Sequence, residues 1–425
     1  MPKQLKVSTI SVIGLGYIGL PTAAMFASRK VKVIGVDINQ HAVDTINQGK
    51  IHIVEPDLDM IVRAAVTEGF LRATIKPEPA EAFLIAVPTP FKGDHEPDLT
   101  YVRAAAESIA LVLKKGDIVI LESTSPVGTT EQMLQWLKAA RPDLCFPMEG
   151  ATASDIDVNV AYCPERVLPG HVIRELVEND RIIGGLTEAC SKRAAEIYRV
   201  FVEGELLFTN ARTAEMAKLT ENAFRDVNIA FAHELSLISD KLGINVWELI
   251  KLANHHPRVN ILQPGCGVGG HCIAVDPWFI VDKTPQDARL IRTAREVNDH
   301  KPQWVLEKVN EAVAALTATG REEASITVAL LGLSFKPNID DLRESPALQI
   351  AKNFAATTRS ALLLVEPNIN SLPTSLTDHQ LVSVDDAISQ ADVIVLLVNH
   401  REFSGIQKKL KAHTHVFDAV SIDIA

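Results

Sequence analysis

Short apolar runs alternate with longer amphipathic segments through the first 200 residues of the chain. Runs rich in Val, Ile and Leu predict buried strands, whereas apolar residues three and four positions apart predict helices. Such alternation is typical of a parallel sheet with crossover helices on both faces. The predicted strands are 9–13, 32–36, 82–87, 118–122 and 159–163, and the predicted helices include 20–28, 41–48 and 99–113.

The pattern changes near residue 210, where a long amphipathic segment begins. Apolar side chains at three- and four-residue steps predict one helix over 213–242, with Thr213 as its N-cap. Further helices are expected from Asn245 and over 286–316, on either side of the glycine-rich segment 263–272. We therefore expect a helical central block with one apolar face that packs against a partner.

From residue 325 the strand–helix alternation returns, which indicates a second, smaller α/β domain. The predicted strands there are 326–331, 361–365 and 393–397, and the predicted helices are 345–355 and 384–389. The expected fold class is therefore α/β, with two doubly wound Rossmann-like α/β domains joined by a central helical domain that contains one long helix. We place the domain boundaries at 1–205, 206–318 and 319–425.

Composition and charge narrow the function classes. The chain has 425 residues, of which 47% are hydrophobic and 22% charged, so it can form more than one sizeable core. A net charge of -11 without a basic stripe argues against a nucleic-acid partner. Five scattered cysteines without CxxC spacing favour a reducing compartment and no metal site. The apolar runs are too short to span a membrane, so we expect a cytoplasmic protein.

A nucleotide-binding signature lies at the first predicted strand–helix junction. It is a GxGxxG made of Gly14, Gly16 and Gly19, with Tyr17 and Ile18 between the last two glycines. Asp37 ends the next predicted strand, 18 residues after the last glycine, near the spacing of dinucleotide-binding folds. These glycines permit a tight turn and a close approach of pyrophosphate, while the carboxylate accepts ribose hydroxyls and repels a 2′-phosphate. NAD is therefore the expected cofactor, and a polar strand end without a ligand is the alternative for Asp37.

Two further turns follow predicted strands and are expected to line the cofactor cleft. The first carries Pro88 and Thr89, and the second carries Thr124. Ligands of open parallel sheets bind beyond the carboxyl ends of the strands, where both turns lie. A rigid turn without a ligand is the alternative interpretation for each.

The segment 265–272, GCGVGGHC, is the most unusual in the chain. Its glycines let the backbone wrap closely around a ligand, and Cys272 places a thiol at its end. Cysteine is commonly a small buried side chain, so this thiol is either a nucleophile or a structural residue on this reasoning alone. Chemistry is less expected of Cys266.

Polar side chains elsewhere suit the same chemistry. Lys218 and Asn222, four positions apart, share one face of the long helix, where they either polarise a developing oxyanion or border solvent. Asp276 follows the thiol by four residues, and Glu165 follows a predicted strand. For each of these carboxylates a structural role is the alternative.

Six longer stretches carry a family resemblance. They are GLGYIGLP, STSPVGTT, YCPERVLPG, AEMAKLTENAFRD, GCGVGGHCIAVDPW and FKPNIDDLRESP, in that order between about residues 8 and 400. Together they resemble the UDP-glucose/GDP-mannose dehydrogenase family, which oxidises the C6 alcohol of a nucleotide-linked sugar to a carboxylate in two NAD-dependent steps. The motif variants imply UDP-N-acetyl-D-mannosamine as substrate, with UDP-N-acetylglucosamine and UDP-glucose as alternatives. They also imply a place in bacterial surface-polysaccharide synthesis, such as that of enterobacterial common antigen.

The resemblance implies a role for each matching residue, with Cys272 forming a thiohemiacetal and then a thioester with the substrate. The other implied catalytic residues are Lys218 and Asn222 at the oxyanion, and Asp276, Glu165 and Thr124 in the hydrolysis step. The implied cofactor contacts are Gly14, Gly16, Tyr17, Ile18, Gly19, Asp37, Pro88, Thr89, Thr124 and Arg343. The implied substrate contacts are Glu165, Arg166, Lys218, Asn222, Arg258, Gly269, Phe335 and Lys336. Arg258 resembles a residue lent to a neighbouring subunit, which implies a homodimer or a larger homo-oligomer through the central helices.

Two other functions stay open on the sequence. A two-electron hydroxyacid dehydrogenase also joins a dinucleotide domain to helices, but it needs neither the thiol nor the α/β domain after residue 325. A NAD-binding regulatory protein without turnover makes Cys272 dispensable and leaves the glycine-rich segment unexplained.

Overall fold

The computed structural model describes residues 7–148, 153–168, 170–270 and 272–421. It forms two compact units, Met1–Glu221 and Asn222–Ala425. The boundary between the units falls inside the long helix predicted from the sequence, so neither unit coincides with one predicted domain.

The first unit is an α/β sandwich around a large sheet. Its strands are β1 Thr9–Ile13, β2 Lys32–Val36, β3 Leu71–Thr74, β4 Ala82–Ile85, β5 Phe91–Lys92, β6 Glu96–Pro97, β7 Ile118–Leu121, β8 Asn159–Tyr162, β9 Arg181–Gly185 and β10 Leu206–Asn210. Its helices are α1 Gly19–Ser28, α2 Gln40–Asn47, α3 Leu58–Thr67, α4 Thr100–Ala110, α5 Thr129–Ala140, α6 Val172–Glu178 and α7 Glu188–Tyr198. Within the described residues, the main sheet has the order β10-β9-β8-β7-β4-β1-β2-β3, and β5 pairs with β6 in a separate hairpin.

Both faces of this sheet are covered, as the sequence pattern predicts. Alternate residues of β4 enter different cores: Ala82 and Leu84 pack on one side, and Phe83 and Ile85 on the other. The neighbours of β1 are β2 on one side and β4 on the other, and both pairings are parallel. The carboxyl end of β1 is therefore a point where the strand order reverses, the usual ligand position in such sheets.

The structure departs from the predicted parallel sheet near one edge. β8 and β9 pair in the antiparallel direction, whereas β9 and β10 pair in parallel. The sequence pattern did not identify β9 or β10, because RIIGG contains two glycines and LLFTN alternates poorly.

The central helices are α8 Ala211–Leu242, α9 Val246–Ala253, α10 Asp276–Lys283 and α11 Arg289–Thr317. The prediction of one long helix is confirmed, but Thr213 as its N-cap is wrong. Oδ1 of Asn210 instead accepts a hydrogen bond from the backbone N–H of Thr213 at 2.9 Å. Capping therefore begins three residues earlier, because the asparagine side chain satisfies an N–H group of the first turn.

The remaining elements form a smaller doubly wound sheet in the second unit. They are β11 Thr327–Leu331, α12 Pro346–Thr357, β12 Ala361–Val365, β13 Gln380–Leu381, α13 Val384–Gln390, β14 Val393–Leu396, α14 Gln407–Leu410 and β15 Val416–Asp418. Among the described residues the strand order is β13-β12-β11-β14-β15, with parallel pairings. Residues of β11 alternate between two cores, which confirms the second Rossmann-like α/β fold.

Candidate functional site

The three glycines after β1 each satisfy a different steric demand. Gly14 has φ +90°, and a Cβ there would lie 2.5 Å from the carbonyl oxygen of Ala86. A Cβ on Gly19 would lie 1.8 Å from the carbonyl oxygen of Gly14, so α1 packs directly against the turn. A Cβ on Gly16 would meet nothing within 4 Å. The turn therefore leaves open space beside Gly16, where a pyrophosphate can approach the backbone.

Asp37 lies at the carboxyl end of β2, next to the glycine turn. Its Oδ2 accepts a hydrogen bond from the N–H of Leu15 at 2.8 Å, and its Oδ1 accepts one from the N–H of Asn39 at 2.8 Å. The carboxylate is half-buried, and each oxygen keeps further lone pairs for other donors. This arrangement fits the two hydroxyls of an adenosine ribose.

The two other turns of the same sheet edge are joined to each other. Oγ1 of Thr89 donates a hydrogen bond to the carbonyl oxygen of Thr124 at 2.6 Å. Oγ of Ser123 donates one to the carbonyl oxygen of Val87 at 2.7 Å. Since β4 and β7 both end here, Thr89 and Thr124, with exposed Pro88, lie beyond the carboxyl ends of strands near β1.

Glu215 is a positioning residue that the sequence reasoning missed. It is fully buried, and its carboxylate accepts hydrogen bonds from the N–H of Gly128 at 2.6 Å and from the N–H and hydroxyl of Thr130 at 2.8 and 2.6 Å. Burial raises its pKa above the usual range. The acid thereby fastens the start of α8 to the first turn of α5, three residues before Lys218. Its position in the AEMAKL stretch, one of those that carry the family resemblance, was the only sign in the sequence that this residue matters.

Glu165 points into the first unit and forms an ion pair with Arg181, and both side chains are buried. Nη1 of Arg181 also lies 3.3 Å from Oε1 of Glu122, and the Tyr198 hydroxyl donates to that same oxygen at 2.6 Å. Arg166 turns away and pairs with Glu221 at 2.9 Å. Glu165 is thus held by a buried guanidinium, a partner that the sequence reasoning did not identify.

The second unit brings together three of the residues expected to act in catalysis. The amide of Asn222 donates a hydrogen bond to Oδ2 of Asp276, which is 3% exposed. The backbone N–H of Asp276 donates to the carbonyl oxygen of Cys272 at 2.9 Å. The Cys272 side chain is exposed. A buried carboxylate and an amide donor therefore meet where α10 begins, four residues after the exposed Cys272.

Lys218 lies one helical turn before Asn222 on α8, as predicted from their spacing. Its side chain is half-buried, and its amine makes no ion pair with a residue of the described ranges. A cation and an amide are therefore presented on one face of the same helix.

The glycine-rich segment packs against the turn that follows β11. A Cβ on Gly269 would lie 2.5 Å from the carbonyl oxygen of Glu344 and 2.9 Å from Cβ of Phe335. Gly270 has φ +83°, and a Cβ there would lie 3.1 Å from the Phe335 ring. The structure thus brings Gly269 and Phe335 together, because glycine lets the two segments approach closely. His271 lies outside the described residues.

A buried polar cluster lies at the base of this segment. Cys266 is 7% exposed, and burial raises the pKa of its thiol to about 12. Burial lowers the pKa of Lys301 to about 7, and its Nζ donates a hydrogen bond to Oγ of Ser236 at 2.6 Å. The structure therefore makes Cys266 a protonated interior thiol, unlike the exposed Cys272.

The remaining basic residues have different surroundings. Lys336 is half-buried in the turn after β11. Arg343 is paired with Asp341 through Nε and Nη2 at 2.9 and 2.5 Å. Arg258 is exposed in the turn after α9. Arg343 therefore shares its guanidinium with Asp341.

Three family models match consecutive parts of the chain. They describe the NAD binding domain, the central domain and the UDP binding domain of the UDP-glucose/GDP-mannose dehydrogenase family, at residues 8–202, 212–300 and 329–423. The chain belongs to the UDP-glucose/GDP-mannose dehydrogenase family. As a member of that family it is an oxidoreductase that uses NAD, and its C-terminal part is a UDP-sugar-binding domain. The cofactor expected from Asp37 and the glycine turn is confirmed.

Individual members of the UDP-glucose/GDP-mannose dehydrogenase family resemble this chain over nearly its whole length. A UDP-N-acetyl-D-mannosamine dehydrogenase of Escherichia coli K12 is 64% identical over 98% of this chain and 100% of its own. An NDP-N-acetyl-D-galactosaminuronic acid dehydrogenase of Ralstonia nicotianae is 65% identical over 93% of this chain and 91% of its own. The solved structure of a UDP-D-ManNAc dehydrogenase from Pyrococcus horikoshii is 39% identical, with a TM-score of 0.86 over 97% of this chain and 96% of its own.

Two features are absent from the described residues. Among them, no helix has the length and apolar character needed to cross a membrane. Across the same ranges, no group of three His, Cys, Asp or Glu side chains is placed to hold a metal ion.

Proposed function

We propose that this protein oxidises UDP-N-acetyl-D-mannosamine at C6 to UDP-N-acetyl-D-mannosaminuronate, removing four electrons in two steps. The observation that carries the proposal is the meeting of Cys272, Asp276 and Asn222 at the start of α10. A two-electron alcohol dehydrogenase has no need of an exposed thiol beside a buried carboxylate. An acyl-forming enzyme needs both, because the aldehyde must be captured and the acyl group later released by water.

The thiol of Cys272 divides the oxidation into two hydride-transfer steps. Bound NAD supplies the hydride acceptor for each oxidation. After the first, the Cys272 thiolate attacks the C6 aldehyde, forming a carbon–sulfur bond and an oxyanion that takes up a proton. Loss of a second hydride and of that proton turns this thiohemiacetal into a thioester. Water then adds to the carbonyl carbon, the carbon–sulfur bond breaks, and the thiolate leaves the carboxylate product.

The neighbours of the thiol supply the proton and charge chemistry. Asn222 and Lys218, one turn apart on α8, are suited to stabilise the negative oxygen formed in each addition step. Asp276 is suited to orient and deprotonate the attacking water, since its carboxylate lies at the start of α10, four residues after Cys272, and is oriented by the amide of Asn222. We assign supporting roles in hydrolysis to Thr124 and Glu165.

The binding residues follow the same assignment. NAD contacts are proposed for Gly14, Gly16, Tyr17, Ile18, Gly19, Asp37, Pro88, Thr89, Thr124 and Arg343. Substrate contacts are proposed for Glu165, Arg166, Lys218, Asn222, Arg258, Gly269, Phe335 and Lys336. We propose the divisions 1–205, 206–318 and 319–425 as the cofactor, central and UDP-sugar domains.

The choice of sugar rests on how much of each relative's length matches this chain more than on the percentage of identical residues. Relatives named for mannosamine and for galactosaminuronic acid are 64% and 65% identical to this chain. The mannosamine relative matches along its full length, and a solved mannosamine enzyme matches 97% of this chain. UDP-N-acetyl-D-mannosamine is therefore the first substrate to assay, with UDP-N-acetylgalactosamine as the second candidate. The product then serves as a surface-polysaccharide precursor.

Homo-oligomer formation is proposed from an apolar stripe on α8. Phe224, Phe231 and Ile238 recur every seven residues and are 70%, 55% and 45% exposed. Leu242 extends the same stripe by one turn and is 65% exposed. Large apolar side chains at such spacing are typical of a helix that packs against a second helix. We propose that a second copy of the chain covers this stripe.

The deciding experiment counts NADH formed per UDP-N-acetyl-D-mannosamine when the sugar is limiting. Wild type is expected to form two NADH per sugar. Cys272→Ala is expected to abolish this turnover, whereas the exposed Cys145→Ala serves as the matched control and retains it. One NADH per sugar in wild type, or two in Cys272→Ala, would contradict the thioester route. Turnover with UDP-N-acetylgalactosamine alone would keep the route and change the substrate.

A further inference from the structure

The first turns of the two Rossmann-like sheets have the same backbone geometry. Gly14 follows β1 with φ +90°, and Gly332 follows β11 with φ +94°. The N–H of Gly14 donates to the carbonyl oxygen of Val36 at 2.8 Å, and the N–H of Gly332 donates to that of Val365 at 2.8 Å. The turn after β11 is therefore built like a dinucleotide-binding turn, although its sequence lacks GxGxxG.

An acid occupies the same place beside each turn. Glu366 follows β12 as Asp37 follows β2, and each accepts a hydrogen bond from the residue after the turn glycine. The distance is 2.7 Å from the N–H of Leu333 to Oε2 of Glu366, compared with 2.8 Å for the Asp37 pair. An asparagine two positions later also donates its N–H to the acid in both cases, at 3.1 Å for Asn368.

The surroundings of the two acids differ. Asp37 is half-buried, but Glu366 is only 3% exposed because His400, 1% exposed, covers it. Nε2 of His400 lies 3.0 Å from Oε2 of Glu366. Nδ1 of His400 accepts a hydrogen bond from the backbone N–H of Asn338 at 3.0 Å, so the ring proton is on Nε2 and is donated to the carboxylate. The imidazole thus takes the donor position beside Glu366 that a ribose hydroxyl would take beside Asp37.

These contacts fasten both ends of one loop. Oε2 of Glu366 holds the N–H groups of Leu333 and Ser334, the latter at 3.0 Å, and His400 holds that of Asn338. The hydrogen bonds to the carboxylate hold its pKa at about 2. The loop between the fixed ends, 332–338, carries Phe335 and Lys336.

We propose that Glu366 and His400 are positioning residues that hold the 332–338 loop in the shape that receives the UDP diphosphate. His400 fills the position beside this turn that a ribose takes in a dinucleotide-binding turn, so Glu366 supports the loop instead of contacting a ribose. This inference rests on the proposed placement of UDP at Phe335 and Lys336. It is independent of the thioester route and of the sugar identity, since UDP alone is the probe.

The test is calorimetric titration of UDP into the full-length protein carrying Glu366→Gln. A glutamine cannot accept from Asn368 and from the Leu333–Ser334 pair together, because one of its two polar atoms is an N–H donor. The dissociation constant for UDP is expected to rise about tenfold, while that for NAD stays within about twofold of wild type. His400→Phe is expected to give a similar rise, and His400→Gln a smaller one, since glutamine keeps a donor for Glu366.

Asp392→Asn is the matched control. Its Oδ2 accepts the N–H of Thr327 at 2.8 Å, and it pairs with Arg321 at 2.7 Å, at the opposite end of β11. This substitution removes a comparable charged acceptor without touching the 332–338 loop. It is expected to lower stability and leave UDP binding unchanged.

Unchanged UDP binding in Glu366→Gln, or an equal loss in Asp392→Asn, would overturn the proposal. If Glu366→Gln does not fold, the same criterion applies to His400→Gln. Lys336→Ala separates this failure from failure of the UDP placement: weaker binding in Lys336→Ala alone rejects the positioning role but keeps the site. No effect in any of the variants rejects both.

Discussion

The side-chain amide of Asn222 donates a hydrogen bond to the carboxylate of Asp276, and this contact joins α8 to the first residue of α10. Asp276 is buried, and its backbone N–H donates a hydrogen bond to the carbonyl oxygen of Cys272. Asn222 therefore orients the Asp276 carboxylate, four residues after Cys272.

Replacing Asp276 by Asn should slow the hydrolysis step more than the oxidations. Without the negative charge, the side chain cannot take a proton from water, and the overall rate should fall about 10²-fold or more. Intact-mass measurement after substrate addition should then show an adduct on the protein. Asp282→Asn, an exposed position on the same helix, is the control and should behave as wild type. A slow Asp276→Asn enzyme without any adduct would contradict the assignment.

Replacing Asp37 by Asn should weaken NAD binding and reduce discrimination against NADP. The single oxygen of asparagine can still accept from Leu15, although the contact from Asn39 is lost, and the charge that holds ribose and repels a 2′-phosphate is removed. The KM for NAD should rise about tenfold, and the NAD preference in kcat/KM should fall. Asp44→Asn on α2 is the control, and an unchanged preference in Asp37→Asn would refute the role.

The buried amine of Lys301 should make stability increase with pH. Its pKa is lowered to about 7 in the folded protein by burial, below the ordinary value of 10.5, so the unfolded chain binds more protons between these values. The free energy of unfolding of wild type, relative to Lys301→Met, should therefore rise by about 2 kcal/mol from pH 7 to pH 9. Below about pH 6 the difference should be constant, because the amine is then protonated in both states.

Urea denaturation of both proteins at each pH measures this effect. The neighbouring groups do not titrate in the window, since the Cys266 pKa is about 12 and burial lowers the His233 pKa to about 3. Lys241→Met, an exposed substitution, should show no such trend. A pH-independent difference for Lys301→Met would mean that the amine is solvated.

Replacing Phe231 by Glu should separate the proposed oligomer. The substitution places a charge in the middle of the apolar stripe on α8, where burial against a second copy would require its desolvation. Light scattering after size-exclusion chromatography should show a smaller species, with lower activity because Arg258 no longer reaches a partner site. Leu111→Glu, which changes a strongly exposed leucine outside α8, should keep the wild-type mass. A wild-type mass for Phe231→Glu would exclude this face as the interface.

Local patterns in the sequence were sufficient to predict the fold class, the cofactor turn and the long helix. The glycine motif from Gly14 and the position of Asp37 predicted the cofactor turn. Both belong to one strand–helix–strand unit, so their spacing along the chain reflects its local geometry. Short apolar runs likewise predicted most of the inner strands of both sheets, and the period-3.6 pattern predicted the long helix α8, since each pattern reflects how one element is buried. The inner strand β9 was missed because its two glycines interrupt the apolar pattern.

Only the tertiary structure decided which distant side chains meet. Asn222 and Asp276 are 54 positions apart, Glu215 and Thr130 are 85 apart, and Glu366 and His400 are 34 apart. Each contact depends on how whole helices and strands pack, which no local pattern specifies. Burial also sets the chemistry of a side chain. The Cys272 thiol is exposed, whereas Cys266 is buried, and desolvation raises the pKa of its thiol because it disfavours the charged form.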